Sequence, residues 1–469
     1  AVCISFVRSA VCISFVQLSP LRFPRISEEK GTRMTFTMGA RCCVLVAVLG
    51  TLVEFAASFG MGVGNPQFGA SKLLPTARTA PRVLQSTELS MKAKKSNNRR
   101  IHTIAKLLHE SVDTSSPLKV KIPDIQPAGM TLTEYMKEIS KSNPELAELQ
   151  LPIGGIQQAC QTISNLINRA PLTGMLGYQS DGGSINVQGE QQKKLDVLSN
   201  EVLKKALKMS GKVGIIASEE EDHPLFNKDA YRVPGGGYRS RKRKVNAHFT
   251  NKFVTVFDPL DGSSNVDCNI PVGTIFGMYK EKETMDNCEI DNIDAIEGNC
   301  LLNTLQPGTA LAAAGYCLYS SSCIFIFTVG AGTHGFTLDT ARKEFVLTHP
   351  NIQIPKRGRI YSLNEANRWD WDKPLQEYIT ALQTGENQER AKYSSRYVGS
   401  MVGDVHRTLL YGGLYGYPAD TNYRDGKLRL LYEAAPMSFL IEQAGGLALT
   451  GHTRVMDVRP QHVHQRVPF

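Results

Sequence analysis

Two apolar runs that end in acids do most to limit what this chain can become. "KVGIIASEEE" brings Glu219 and Glu220 to its end, and "KFVTVFDPLDG" brings Asp258 and Asp261. Each run is rich in β-formers and reads as a strand whose exit is crowded with carboxylates. Open α/β sheets place their ligands at strand exits. Acids gathered there repel one another unless a cation neutralises them, and carboxylates suit hard ions such as Mg²⁺ or Mn²⁺. A third acidic feature, "KLRLLYE", puts Glu433 at the start of a helix, beside Lys427 and Arg429. In the D-P-x-D-G element, Pro259 sets the turn and Gly262 lets the backbone approach a bound anion. The amides of Ser263, Ser264 and Asn265 would face a phosphate if they open a helix. An acid triplet alone is ordinarily solvated surface. The order strand–acids, strand–DPLDG, helix with Glu is far more specific.

The charge balance excludes one class of partner. The chain has 469 residues and a net charge of +9. Residues 1–100 hold 14 Lys/Arg against 4 Asp/Glu, and the remainder holds 39 against 40. The basic excess belongs to the leader, so the body offers no surface for nucleic acid. None of the ten cysteines forms a C-x-x-C pair, which argues against zinc and against a dense disulfide framework.

Ordered protein is expected from Met130. Thr131 followed by Glu134 predicts a capped helix over Thr131–Ser140, and a second helix should cover Gly155–Asn168. The Gly/Ser-rich stretch 174–189 reads as mobile. "KKLDVLSNEVLKKALKMSG" is amphipathic and stops at Gly211. "YRVPGGGYRSRKRKVNAHFT" reads as a solvated loop. "TIFGMY", "CIFIFTV", "HGFTLD" and "EFVLTH" read as strands, and "PLQEYITALQT" and "LLYEAAPMSFLIEQAGG" as helices. This irregular alternation predicts layered α/β architecture with two subdomains, 130–350 and 351–469.

"FDPLDGSSN", "GTIFGMY", "KLRLLYEAAPM" and "EQAGG" together resemble the fructose-1,6-bisphosphatase family, within the lithium-sensitive sugar and inositol phosphatase superfamily. The resemblance runs from Met130 to the C-terminus and implies a five-layer α-β-α-β-α sandwich. It also implies a homotetramer and two to three Mg²⁺ or Mn²⁺ ions per subunit. The metal ligands it implies are Glu219, Asp258, the Leu260 carbonyl, Asp261 and Glu433. Glu190 stands where the family has a loop Asp. Asp196 and Glu220 match acids that orient and deprotonate the attacking water, and Asn186 lies in the same loop as Glu190. Substrate contacts map onto Asp261, Gly262, Ser263, Ser264, Asn364, Tyr397, Gly399, Ser400, Met401, Tyr417, Lys427 and Arg429. Arg396 matches a residue that reaches a neighbouring subunit's substrate. Where the family often has Gly-Tyr after "SLNE", this chain has Ala366 and Asn367.

The acidic segment "KEKETMDNCEIDNIDAIEGNCLLNT" resembles the inserted loop of redox-controlled plastid bisphosphatases, with Leu305 in place of a third cysteine. A Cys288–Cys300 disulfide would close a loop of about 13 residues, stabilising by roughly 3 kcal/mol on the chain-entropy argument. Thioredoxin is the reductant this implies; two unpaired thiols are the alternative. Relatives outside plastids bind inhibitory AMP through a Gly-Thr-rich loop that "NPELAELQLPIGGIQQAC" lacks, so AMP inhibition should be weak or absent.

The leader reads as an address. "AVCISFV" occurs at 1–7 and again at 10–16, too few copies for a repeat fold. Met34 or Met38 is the expected start, with 1–33 upstream of it. "CCVLVAVLGTLV" is too short to span a bilayer and suits a signal segment within 34–58. Residues 59–100 carry eight Lys/Arg and one acid, Glu88, a transit-peptide composition, and 101–129 is a linker. Signal followed by transit resembles the presequence of algae with secondary plastids, leading to the stroma with no membrane segment in the mature form. A plain secretory signal and linker is the alternative. The family usually continues past "HQRVPF" with another strand and helix, so the expectation is either a truncated C-terminus or one uncovered sheet edge. "HVH", His462–His464, could place two ligands on one strand face but reads as terminal surface.

The leading expectation is hydrolysis of fructose 1,6-bisphosphate. Sedoheptulose-1,7-bisphosphatase activity, or both, is the alternative enzyme. A catalytically silent, redox-responsive sugar-phosphate scaffold is the alternative of another class.

Overall fold

A computed structural model describes residues 4–7, 10–13, 129–178, 192–227, 230, 252–282 and 293–469, with backbone alone for 4–7, 10–13 and 293–297. Asn186, Glu190 and Cys288, and most of the stretch expected to be mobile, lie outside these residues. In the N-terminal unit, β1 (Ile4–Val7) and β2 (Ala10–Ile13) pair antiparallel, four residues from each copy of the repeated heptad.

The second unit opens with the capped helix α1 (Leu132–Ser142). The Thr131 hydroxyl accepts from the Glu134 amide at 3.2 Å, and the Glu134 carboxylate accepts from the Thr131 amide at 2.8 Å. α2 (Gln150–Thr173) is longer than expected at both ends and runs through Pro171 before Gly174 stops it in a left-handed conformation. α3 (Lys194–Met209) buries Leu195, Leu203 and Leu207, and Gly211 follows its end with φ of 65°.

Strands β3 (Val213–Ser218), β4 (Leu225–Phe226), β5 (Phe253–Asp261), β6 (Val272–Lys280), β7 (Leu311–Tyr319), β8 (Cys323–Thr328), β9 (Thr333–Asp339) and β10 (Glu344–Ile352) form one sheet. Their spatial order is β10-β9-β8-β7-β6-β5-β3-β4. β3 and β5 run parallel and every other neighbouring pair is antiparallel. That parallel pair sends both acid-bearing exits to the same edge of the sheet. β7, "LAAAGYCLY", shows no strand-like composition, because alanine is a weak β-former. Packing fixes one position in it: a Cβ on Gly315 would lie 2.5 Å from the Phe276 ring, so only glycine fits there.

α4 (Ile293–Thr304) lies against β3, β4 and β5. A second, three-stranded parallel sheet has the order β12 (Ser394–Ser395), β11 (Ile360–Ser362), β13 (Leu414–Tyr415). α5 (Lys373–Thr384) packs Ile379 and Leu382 onto Tyr361, Leu363 and Trp371 beside it. α6 (Met401–Tyr411), capped by Ser400, lies between the two sheets and touches β6, β7, β11 and β13. α7 (Ala435–Gln443) covers the same face of the large sheet. The layers are therefore α1–α3, large sheet, α6 and α7, small sheet, α5, as the resemblance implied. β14 (Leu428–Arg429) pairs with β15 (Arg466–Val467) at the C-terminus. The core against α1–α3 contains Phe253, Phe257, Phe276, Phe325 and Phe327, each contributing about 1.5–3 kcal/mol by full burial. Among the described residues no helix is long and apolar enough to cross a bilayer.

Candidate active site

The β3–β5 register sets Ser218 opposite Phe257, so Glu219 emerges beside Asp258. The Glu219 amide donates to the Phe257 carbonyl at 3.1 Å, which holds the two exits together. β5 does not turn at Pro259. It continues to Asp261 through a register shift, with Asp258 opposite Ile275 and Asp261 opposite Gly273. The expected proline turn is thus a bulge, where a residue lacking an N–H is tolerated. The bend comes at Gly262, whose φ of 73° suits glycine. The next residues form a short 3₁₀ turn, Ser263–Cys268.

Glu433 completes the cluster from the segment that leads into α7. It does not open a regular helix. It sits in a π-helical turn, Leu430–Ala434, ahead of α7. Such wide turns recur at functional sites because they re-aim one side chain. One carboxylate oxygen each from Glu219, Asp258 and Glu433 lies within 4.8 Å of the others. Asp258 and Glu433 are buried and Glu219 is half-buried. Burial pushes Asp258 well above the usual carboxylate range, reinforced by the negative charges of Glu219, Asp261 and Glu433. Burial also raises Asp261 to about 6, against the opposing pull of the Val402 amide and the Lys427 charge. Repelling, buried, oxygen-only donors are what a divalent cation neutralises, so the donor set fits a hard metal ion.

Asp258, Asp261 and Glu433 each keep one oxygen on the backbone. Asp258 Oδ1 accepts from the Leu260 amide at 2.9 Å, and Glu433 Oε2 from the Arg429 amide at 2.5 Å. Asp261 Oδ2 accepts at 3.1 Å from the Val402 amide in the first turn of α6. The Leu260 carbonyl belongs to the same buried bulge. Glu220 accepts from the Gln192 side chain, and its amide donates to Ser218 Oγ at 3.3 Å. Asp196 is outside the three-acid cluster; its carboxylate accepts from the Lys193 amide at 2.8 Å and caps α3.

Several of the residues expected to contact substrate lie at the start of α6. Asn265 Nδ2 donates to the Gly399 carbonyl at 2.9 Å, tying the Gly262–Ser264 bend to the 396–400 segment. Gly399 has φ of 81°, Ser400 caps α6 and Met401 is buried. Tyr397 is 39% exposed and Arg396 is exposed, as a ligand-facing edge requires. The Lys427 ammonium lies 5.5 Å from the centre of the Tyr417 ring, and Arg429 is buried. Asn364 caps the turn Glu365–Asp370, accepting from the Ala366 amide at 3.3 Å. Asn367, at the departure from the family pattern, donates to Asp420 at 3.4 Å.

Several supporting residues escaped sequence reasoning. Asp404 is fully buried; it accepts from the Val398 and Gly399 amides at 3.1 Å and pairs with Arg407 at 2.7 Å. Ser400 followed by Asp404 was a readable helix-start signal. Gln192 and the Val402 amide carry no such signal. "HVH" is terminal surface only at His462, which is exposed; His464 is half-buried between Tyr432 and the Glu221 carbonyl. Cys300 is buried on α4.

The comparisons with known proteins agree with this geometry. The family described as "Fructose-1-6-bisphosphatase, N-terminal domain" matches residues 130–235 and 240–350, and "Fructose-1-6-bisphosphatase, C-terminal domain" matches 354–469. The chain is 48% identical to "Fructose-1,6-bisphosphatase, chloroplastic" of Spinacia oleracea over 347 residues, covering 72% of this chain and 77% of that protein. Identity is also 48% to "Fructose-1,6-bisphosphatase 1, chloroplastic" of Arabidopsis thaliana, over 349 residues and with the same coverage. The crystal structure of Leishmania major fructose-1,6-bisphosphatase in holo form is 40% identical, with a TM-score of 0.61. That match covers 73% of this chain and 94% of the other.

Proposed function

The chain belongs to the fructose-1,6-bisphosphatase family, and from that premise we infer that it hydrolyses fructose 1,6-bisphosphate to fructose 6-phosphate and inorganic phosphate in the plastid. It is a phosphoric monoester hydrolase. The observation that carries the reading is the convergence of Glu219, Asp258 and Glu433 within 4.8 Å.

The three acids and Asp261, with the Leu260 carbonyl, would hold divalent cations, two to three Mg²⁺ per subunit, and Glu190 would add a ligand. Bound ions supply charge neutralisation at the phosphoryl group and a lowered pKa for water. The chain's own residues do the rest. The bend at Gly262, with Ser263 and Ser264, receives the 1-phosphate. Glu220, steadied by Gln192, takes the proton of the attacking water, and Asp196 orients the approach from the end of α3. Lys427 grips the remote phosphate as a point charge, and Tyr397, Tyr417, Asn364 and Met401 border the sugar. Arg396, exposed at the edge of the small sheet, reaches a neighbour's site in a tetramer. The leader directs import as signal followed by transit.

Thiol control acts through α4, which carries Cys300 and lies against both acid-bearing strands. Its Asn303 side chain accepts from the Lys282 amide at 2.6 Å, just past the end of β6. A Cys288–Cys300 disulfide, opened by thioredoxin, shifts this contact. Phosphate release from fructose 1,6-bisphosphate and sedoheptulose 1,7-bisphosphate, with and without Mg²⁺ and a dithiol, tests the whole reading. Release only from the fructose ester, and only with Mg²⁺, is expected. Equal rates with the metal chelated would end the metal assignment, and a dithiol response unchanged in Cys288→Ser would end the switch.

A further inference from the structure

One motif lies outside the assigned site and yet touches both of its halves. His464 belongs to the C-terminal segment that zips onto the Glu433 region. The Leu430 amide donates to the Gln465 carbonyl at 2.7 Å, and Arg429 pairs with Arg466. Its ring meets the Tyr432 ring edge-on, with centroids 5.9 Å apart. His464 Nδ1 is 2.8 Å from the Tyr432 hydroxyl, and Nε2 is 3.1 Å from the Glu221 carbonyl.

A carbonyl can only accept, so Nε2 carries the proton and Nδ1 accepts from the tyrosine hydroxyl. Both contacts are directional, and each lands beside one acid of the cluster along the chain, Tyr432 next to Glu433 and Glu221 two residues after Glu219. Tyr432 is fully buried and directly precedes Glu433 in the π-turn. Glu221 closes the turn that carries Glu219 and Glu220, and its carboxylate is held by Asn200 at 2.9 Å and Lys204 at 2.5 Å. The imidazole therefore braces two backbone segments that come from positions more than 200 residues apart. Their separation sets the spacing of Glu219 and Glu433.

We propose that His464 is a positioning residue for the metal cage, fixing the distance between the Glu219 turn and the Glu433 turn through its two ring nitrogens. The proposal rests on the metal reading given above. Loss of the brace lets the two acids drift apart, weakening cation binding while leaving the sugar contacts around α6 in place.

Mn²⁺ titration calorimetry on the full chain tests it, with KM for fructose 1,6-bisphosphate measured at saturating metal. His464→Asn keeps a group near Nδ1 and loses the reach to Glu221; about tenfold weaker Mn²⁺ binding is expected. Tyr432→Phe removes only a hydroxyl, and about threefold weaker binding is expected. His464→Gln can restore a donor toward the Glu221 carbonyl and should recover most of the affinity lost in His464→Asn. KM should stay within about twofold throughout. If wild type binds Mn²⁺ and Glu433→Gln does not, the cage reading stands independently. Variant affinities within about twofold of wild type would then overturn the role of His464 alone, as would a change in KM as large as the change in metal affinity. Should His464→Asn fail to fold, Tyr432→Phe still decides, because it keeps the packed volume.

Discussion

The acid side and the sugar side of this site are built on opposite principles. The acids sit on rigid elements, two parallel strand exits and a π-turn, with Asp258, Asp261 and Glu433 buried. The expected sugar side is made of a loop, a helix start and exposed side chains, with Tyr397 and Val398 39% and 41% exposed. One half stores repulsion that a cation relieves; the other leaves polar groups in water until a ligand arrives. Metal binding is thus expected to govern both stability and turnover, whereas sugar contacts govern affinity.

Asp258→Asn should separate the two principles most sharply. Turnover should fall by about a thousandfold or more, measured as phosphate release at saturating substrate and Mg²⁺. The metal-free protein should nevertheless melt higher, by about 2–4 °C, because a buried, repelled charge is gone. A lower melting temperature would break the claim that the cage stores repulsion.

On the sugar side, Lys427→Ala should raise KM by about ten- to a hundredfold with kcat nearly unchanged, since the remote phosphate binds equally in ground and transition states. A matching loss in kcat would place Lys427 in the chemistry instead. Asp404→Asn should loosen the 398–399 amides and raise KM about fivefold, without altering Mg²⁺ activation.

The pH dependence sharpens the acid side again. In the metal-free protein Asp261 titrates near 6 against an ordinary value of 3.8, raised chiefly by burial, and Asp258 is raised as well. The folded state holds these protons more tightly than the unfolded one. Their stabilising contribution is complete below the ordinary value and is lost as pH rises through the raised one. The melting shift on adding Mg²⁺ should therefore grow between pH 5 and about 7, by several degrees. A shift that shrinks over that range would contradict the burial of these acids. Thr131→Ala, far from both sides, should cost about 1 kcal/mol of stability and leave kinetics untouched.

Much of this was readable before any coordinates. Thr131 and Glu134 announced α1, the leucine spacing announced α3, and the acids at the ends of two apolar runs announced the cluster. Local pattern succeeds there because each signal lies within one element. It failed at β7, an alanine-rich strand whose Gly315 is required by the Phe276 ring on the neighbouring strand, and at Pro259, where a bulge replaces a turn. It also failed at α6, absent from the expected helices, which delivers the Val402 amide to Asp261.

By itself, then, the sequence determined which residues could bind cations and phosphate, because charge, hydroxyl and backbone freedom are properties of residue types. Only the tertiary structure decided how far apart they stand. The parallel pairing of β3 with β5, the widened turn at Glu433 and the amides that occupy one oxygen of each buried acid are long-range packing outcomes. Repulsion between carboxylates depends on distance and on the surrounding dielectric, and both are fixed only when distant segments are pressed together.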